Sequence, residues 1–383
     1  MAADATLDPA GPTPARSQTG AHPEGHEAAP SGPQGSADIR VGRGSPLSPN
    51  QRAWRRFQRN RLGAWSLWVF AALLLLSALA DVLSNDQPLI ARYDGQTYFP
   101  LFDNPPETQF GGDFRTPTDW SDPFIAAQFA KPGNWMLRPP NHHSATSIEY
   151  FAKPPNPAPP SAQNWLGTDE LGRDMVARLL YGFRVSVLFA LALTAIGVAI
   201  GLAAGAVQGY FAGRIDLTLQ RLIEIWTAIP ELYLLIIFAS IFQPSIPLLL
   251  ILLSMFGWVG LSDYTRAEFL RNRSLEFVKA ARALGLSNWQ IIWRHVLPNS
   301  VTPAITFLPF RMSSAVLSLV ALDFLGLGVP SDVPSLGDLV RQGKANLDAW
   351  WIIFPTFAVL VVTMLLLTFI GDALRDAFDT RKS

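Results

Sequence analysis

Four charged side chains fall inside stretches that are otherwise apolar: Glu224, Glu231, Arg311 and Asp323. A charge at membrane depth costs about 2.5–3.5 kcal/mol on insertion scales, so each should face protein or water rather than lipid. Glu224 and Glu231 are seven residues apart, close to two helical turns, which puts them on one face of a helix that Pro230 would disturb. Arg311 and Asp323 flank the second half of a later apolar stretch. The plainest chemistry is an interhelical ion pair; the alternative is that Glu231 and Arg311 line a polar path and tune what passes along it. Little else points to bond making. No G-x-x-x-x-G-K-[ST] phosphate loop occurs, and the Gly343-Lys344 pair is followed by Ala345. His142, His143 and His295 stand apart from convergent carboxylates, so a zinc or acid–base role has little support. With no cysteine, disulfides, thiolate metal sites and a cysteine nucleophile are excluded.

The elements that must hold these charges are membrane helices. Of 383 residues, 49% are hydrophobic and only 16% charged, against about 25% charged in ordinary soluble domains. Twelve Trp and 24 Phe suit aromatic belts at two interfaces, and the zero net charge gives no field for nucleic acid. A span needs about 20 apolar residues. Six candidates meet that need, near 64–83, 185–210, 222–242, 246–261, 301–322 and 351–369. Arg52, Arg55, Arg56, Arg59 and Arg61 crowd the approach to the first. Arg266, Arg271, Arg273, Lys279, Arg282 and Arg294 fill a central loop at 263–298, and Arg375, Arg381 and Lys382 mark the tail. Six spans put all three basic regions on one side, which the positive-inside rule makes the cytoplasm, together with both termini. Gly197, Gly201 and Gly205 repeat every four residues on the second span, a helix-packing face.

The organisation follows. Residues 1–47 are rich in Pro, Gly, Ala and Ser and are expected to be a disordered cytoplasmic tail. Residues 48–83 hold a basic, aromatic interfacial stretch with Trp54 and Phe57, then the first span. Residues 84–163 form an outward insertion, dense in Pro and aromatics, with no strong helix or sheet pattern. Its rings are expected to build its own core, the alternative being contact with an incoming ligand. Residues 164–383 carry the other five spans. Near their start, Asp169, Glu170, Arg173 and Asp174 are spaced for structural charge pairing.

The loop within 263–298 carries the most specific pattern. Leu275, Val278, Ala281 and Leu284 recur every three residues, giving a narrow apolar stripe. Gly285 is placed to end that helix, Ser287 with Gln290 has capping-box spacing to start a second, and Pro298 is expected to halt it. Ala280 and Ala281 are small enough for a partner to approach closely. The pattern Ala280-Ala281, three residues, Gly285, nine residues, His295-x-Leu297-Pro298 resembles the loop shared by permease subunits of binding-protein-dependent ABC importers. Lys279 stands where that pattern usually has Glu, and His295 where it has Ile. The run V-K-A-A-R-A-L-G, the stretch from Asn164 to Asp174, and Asp323-Phe-Leu-Gly-Leu-Gly328 are similar to the dipeptide/oligopeptide branch. Asn50-Gln-Arg, Trp65-Ser-Leu-Trp68, Arg92-Tyr-Asp-Gly95 and Tyr98-Phe-Pro100 resemble Yej-type permeases, associated with microcin C and oligopeptide uptake.

The resemblance implies an all-α integral membrane protein with six transmembrane helices, the type I importer permease fold, and a periplasmic insertion between helices 1 and 2. It implies a non-catalytic inner-membrane subunit that forms half of a pathway for peptides or peptide-like compounds. Expected partners are a second permease, ATPase subunits, a periplasmic peptide-binding protein and the bilayer, without nucleic acid. No cofactor is expected on this chain; ATP and Mg would belong to the ATPase. By the same resemblance, Glu276, Lys279, Ala280, Ala281, Arg282, Leu284 and Gly285 would enter a cleft on that ATPase. Two other classes compete. A polytopic membrane enzyme would need clustered His, Asp, Glu or Ser at membrane depth, which is lacking. An ion-coupled secondary transporter of peptides would use Glu224, Glu231 and Asp323 as coupling carboxylates.

Overall fold

The computed structural model describes residues 49–149 and 155–378, so the tail at 1–47 and the basic residues Arg381 and Lys382 lie outside the described residues. The described residues begin with α1 (Pro49–Arg59), whose Ala53 and Phe57 are buried while Trp54 stays exposed. Asn60 caps α2 (Arg61–Ala78), accepting a hydrogen bond from the Gly63 amide at 3.1 Å, and one further turn, α3 (Ala80–Leu83), leads out of the span.

The insertion holds a sheet that its sequence did not announce. Strands β1 (Ile90–Tyr93), β2 (Gln96–Tyr98) and β3 (Trp135–Leu137) pair antiparallel in the order β2-β1-β3, with α4 (Pro123–Phe129) alongside. Strands of three or four residues are too short to show a period of two against a Pro-rich background. The aromatics make the insertion's own core: Phe110, Trp120 and Phe129 meet with ring centroids 5.2–5.5 Å apart, and Tyr93 and Tyr98 pack edge-on against Phe110. Phe102, 87% exposed, and Phe114 stay outside it.

The spanning part is a helical bundle. Asp174 opens α5 (Met175–Phe211) by accepting from the Ala177 amide at 2.9 Å. At 37 residues this helix is about 55 Å long, well beyond the hydrocarbon thickness. Next come α6 (Gly213–Thr227), α7 (Glu231–Ile241), α8 (Ile246–Gly257), α9 (Val259–Asn272), α10 (Glu276–Ala283), α11 (Asn288–Ile291), α12 (Leu297–Phe324), α13 (Leu336–Ala345) and α14 (Trp350–Phe378). Among the described residues, five helical stretches are long and apolar enough to cross a membrane: Arg61–Ala78, Met175–Phe211, Ile246–Asn272, Ala304–Phe324 and Trp350–Phe378. The bent pair α6–α7 makes a sixth.

Two expectations about helix ends fail for identifiable reasons. The third span is not one helix: Pro230 adopts an extended conformation and α6 and α7 meet at 61°, because proline offers no amide to the turn before it. Glu224 and Glu231 therefore sit on separate helices rather than sharing a face. Pro298 does not end the helix after Ser287. One wide turn, Ile292–Val296, passes the chain directly into α12, and Pro298 falls in its first turn, where a missing N–H costs little.

The glycine face on the second span packs as read, and extends by one residue. Gly197, Gly201, Gly205 and Gly209 all abut the α8–α9 backbone. A Cβ added at Gly201 would stand 2.9 Å from the Trp258 carbonyl oxygen and 3.0 Å from Leu261 Cβ, so α5 and α9 lie closer than side chains would permit.

Candidate functional site

The central loop is built as a small rigid body. Helix α10 ends at Ala283 with Leu284 as its C-cap, and Gly285 takes φ +82°. The Leu286 amide then donates to the Ala281 carbonyl at 3.2 Å and the Gly285 amide to the Arg282 carbonyl at 3.0 Å, the paired bonds of a glycine-terminated helix. Ser287 and Gln290 form the reciprocal capping box, with bonds of 3.0 and 3.3 Å. Beneath the two helices, Val278, Ala281, Ile291, Ile292 and Val296 pack on Ala206 and Tyr210 of α5 and Phe269 of α9. Tyr210 ties the pieces together: its hydroxyl donates to Asn288 Oδ1 at 2.8 Å, and its carbonyl accepts from Arg273 at 3.2 Å. The loop is thus packed and hydrogen-bonded directly onto the ends of α5 and α9.

Which residues face outward differs in part from the sequence reading. Only Val278 and Ala281 of the expected stripe are buried; Leu275 precedes the helix in extended conformation and Leu284, at its end, is 80% exposed. Ala281 is 5% exposed and packs inward on its own chain, so it supplies internal packing rather than room for a partner. Glu276, Lys279, Ala280, Arg282 and Leu284 remain on the open face with Gly285, and Lys279 pairs with Glu276 at 2.8 Å.

The four charges of the spans have different fates. Glu224 pairs with Arg221 at 2.5 Å. Asp323 is buried and structural: it accepts from the Val329 amide at 2.8 Å and from the Ser335 hydroxyl, which itself caps α13. Glu231 and Arg311 do come together, lining one cavity of about 230 Å³ with Thr194, Gly257, Ser314 and Ser318. They do not form the expected ion pair. Arg311 donates instead to the Gly257 carbonyl at the break between α8 and α9, and Gly197 leaves space for its guanidinium. Sequence reading missed Thr194, Ser314 and Ser318. The signal was available for the two serines, which follow Arg311 at i+3 and i+7 and so mark a polar stripe on one face of an apolar helix.

A second charged cluster lies where α5 begins. Arg173 binds Asp169 through Nε and Nη2, each at 2.7 Å, as the spacing suggested. Arg178, fully buried, reaches Asp338 at 3.6 Å and Asp169 at 3.9 Å, and Asp338 also takes Arg341. Glu170 binds Asn346 at 2.6 Å. Arg178 and Asp338 escaped the sequence reading because they are far apart along the chain. Nearby, Asp81 accepts from Tyr181 at 2.9 Å and pairs with Arg184 at 2.7 Å. Burial alone would raise its pKa, but the hydrogen bonds from Arg184 and Tyr181 and the arginine's charge outweigh it and hold the carboxyl below its ordinary value.

Comparison with known proteins gives a consistent picture. Residues 182–383 match the binding-protein-dependent transport system inner membrane component family, and residues 48–106 match the N-terminal TM domain of oligopeptide transport permease C. The inner membrane ABC transporter permease protein YejE of Escherichia coli (strain K12) is 48% identical over 340 residues, 88% of this chain and 99% of that protein. The peptidoglycan transport system permease protein YejE of Agrobacterium fabrum is 44% identical over 357 residues, 87% of this chain and 93% of the relative. The dipeptide transport system permease protein DppC of Lactococcus lactis subsp. cremoris is 30% identical over 339 residues, 88% and 92% of the two chains.

Proposed function

The chain belongs to the binding-protein-dependent transport system inner membrane components, multi-pass permeases of ABC transporters, and from that premise we propose that it forms half of an ATP-driven import path for peptides or peptide-like compounds. Its relatives are named for peptidoglycan and dipeptide transport, which supports that cargo class. It works with a second permease, a separate ATPase that binds ATP and Mg, and a periplasmic peptide-binding protein. Both termini and the 263–298 loop face the cytoplasm and the insertion faces the periplasm, in keeping with the basic residues of α1, α9 and α10.

The observation that carries the mechanism is the loop's construction: two short capped helices, locked by a glycine turn and sharing one core with α5 and α9. Glu276, Lys279, Ala280, Arg282, Leu284 and Gly285 dock into the ATPase, and Ala281 stiffens the element from beneath. Nucleotide-driven closure of the ATPase then moves α5 and α9 as one body, because two packed arrangements of a rigid element transmit motion better than a deformable loop does. The ion-coupled alternative loses support on geometry, since Glu224 is held by Arg221 and Asp323 by Ser335, which leaves Glu231 without its two companions.

Uptake of a labelled oligopeptide into sealed vesicles carrying the whole assembly tests this reading. Uptake is expected to persist when an uncoupler collapses the proton gradient while ATP is maintained. Uptake that stops with the gradient and ignores ATP would overturn it.

A further inference from the structure

We propose that the cavity among α5, α7, α8 and α12 is a carboxylate subsite of the translocation path, in which Arg311 receives the free C-terminal carboxylate of a passing peptide and Glu231 limits its stay; the proposal rests on the peptide-permease reading above. A charge kept at membrane depth is expected to face a partner or water. Among the described residues, Arg311 has no carboxylate partner: one Nη2 bond goes to the Gly257 carbonyl, and its buried Nε has no acceptor. Thr194, on the cavity wall and 5% exposed, also has an unpartnered hydroxyl. Buried polar groups left unmatched in a folded chain call for a reason, and here both border one cavity.

The chemistry of the gap selects the ligand. A guanidinium with spare donors suits a planar anion with two oxygens, which the arginine fork binds more specifically than a single point charge would. Ser314 and Ser318 lie on the exposed side of the cavity, where hydroxyls continue the polar surface outward along α12. Peptides of different sequence share little besides their backbone and their two charged ends, so a path serving many of them can read a terminus when it cannot read side chains. Glu231 completes the device. It is the first residue of α7, where helix-end amides favour a carboxylate, and the Pro230 break holds it at the exposed edge of the cavity. A like charge there opposes long residence of the peptide carboxylate, and passage requires a site that binds well enough to admit its ligand and weakly enough to release it.

The test uses the complete transporter in liposomes, supplied with its binding protein. Trialanine as the free acid and as the C-terminal amide are the probes, with uptake normalised to the amount of each carried by the binding protein. The wild type is expected to move the free acid about tenfold faster than the amide, the scale of one charge-assisted bond. In Arg311→Gln the ratio should fall to about one. In Arg311→Lys, which keeps the charge and loses the fork, it should fall to an intermediate value. Glu231→Gln should lower the apparent KM for the free acid and lower its maximal rate as well. Equal uptake of both probes by the wild type, or ratios unchanged in both Arg311 variants, would overturn the subsite while leaving peptide import standing. Uptake of neither probe by the wild type would overturn the cargo reading and the subsite together.

Discussion

Two charged clusters touch α5, and the protein treats them in opposite ways. At its start, Asp169, Arg173, Arg178 and Asp338 are sealed against one another at 2.7–3.9 Å, with Asp169 also accepting the Leu171 and Arg173 amides at 2.9 Å. Midway along the helix, Thr194 borders a cavity where, among the described residues, Glu231 and Arg311 have no ion-pair partner. The first cluster balances its charges internally and so fixes shape, fastening the segment before α5 to α13, although Nε and Nη2 of Arg178 make charge contacts there without a hydrogen bond. The second leaves charge without an opposite partner, which is the state expected of a surface that meets something else.

The sharpest way to break this contrast is to remove one member of each cluster. Asp169→Ala should cost about 3–5 kcal/mol, because it removes the closest carboxylate of Arg173 and leaves two buried arginines to share Asp338, and should show as a large loss of thermal stability of the detergent-solubilised complex. Arg311→Gln should change stability by no more than about 1 kcal/mol, since losing the Gly257 bond is offset by removing an unpaired charge from membrane depth. Equal losses in the two variants would erase the distinction.

Smaller effects sharpen it. Gly201→Val should destabilise by about 1–3 kcal/mol by forcing α5 away from α9, read as a lower unfolding midpoint with both helices still inserted. Gly285→Val should cost about 1–2 kcal/mol locally, from a β-branched residue held at φ +82°, and should uncouple ATP hydrolysis from uptake while insertion stays normal. The smallest effect concerns pH. Asp81 has a depressed folded pKa, so its contribution is present above the ordinary carboxylate value and is lost as pH falls through the lower folded value. Asp81→Asn should therefore flatten the acid limb of the stability profile between about pH 5 and pH 2, with little change at neutrality.

What the sequence disclosed was local. The glycine turn at Gly285, the Ser287–Gln290 capping box, the Asp169–Arg173 pair and the glycine face of α5 all lie within one or a few turns of chain, and each appears as read. The failures came where a local signal had two outcomes. Proline split the helix at Pro230 yet opened one at Pro298, and the difference depends on whether the preceding turn needs the missing amide. Ala281 was the right type for close approach, but only the tertiary core could show that it approaches its own chain. The link from Arg178 to Asp338 and the meeting of Arg311 with the Gly257 carbonyl join segments distant in sequence, which no periodicity reveals.

The central claim is that ATP-driven motion enters through the open face of α10. The chain has no cysteine, so Ala280→Cys supplies a single thiol at that face. Treating the transport-competent assembly with a short bismaleimide should join position 280 to the co-purifying ATPase through a cysteine on the ATPase surface, in a yield that changes with nucleotide. No crosslink to the ATPase from position 280, when the ATPase cysteines tested span its membrane-facing surface and the same preparation imports peptide, would contradict the account.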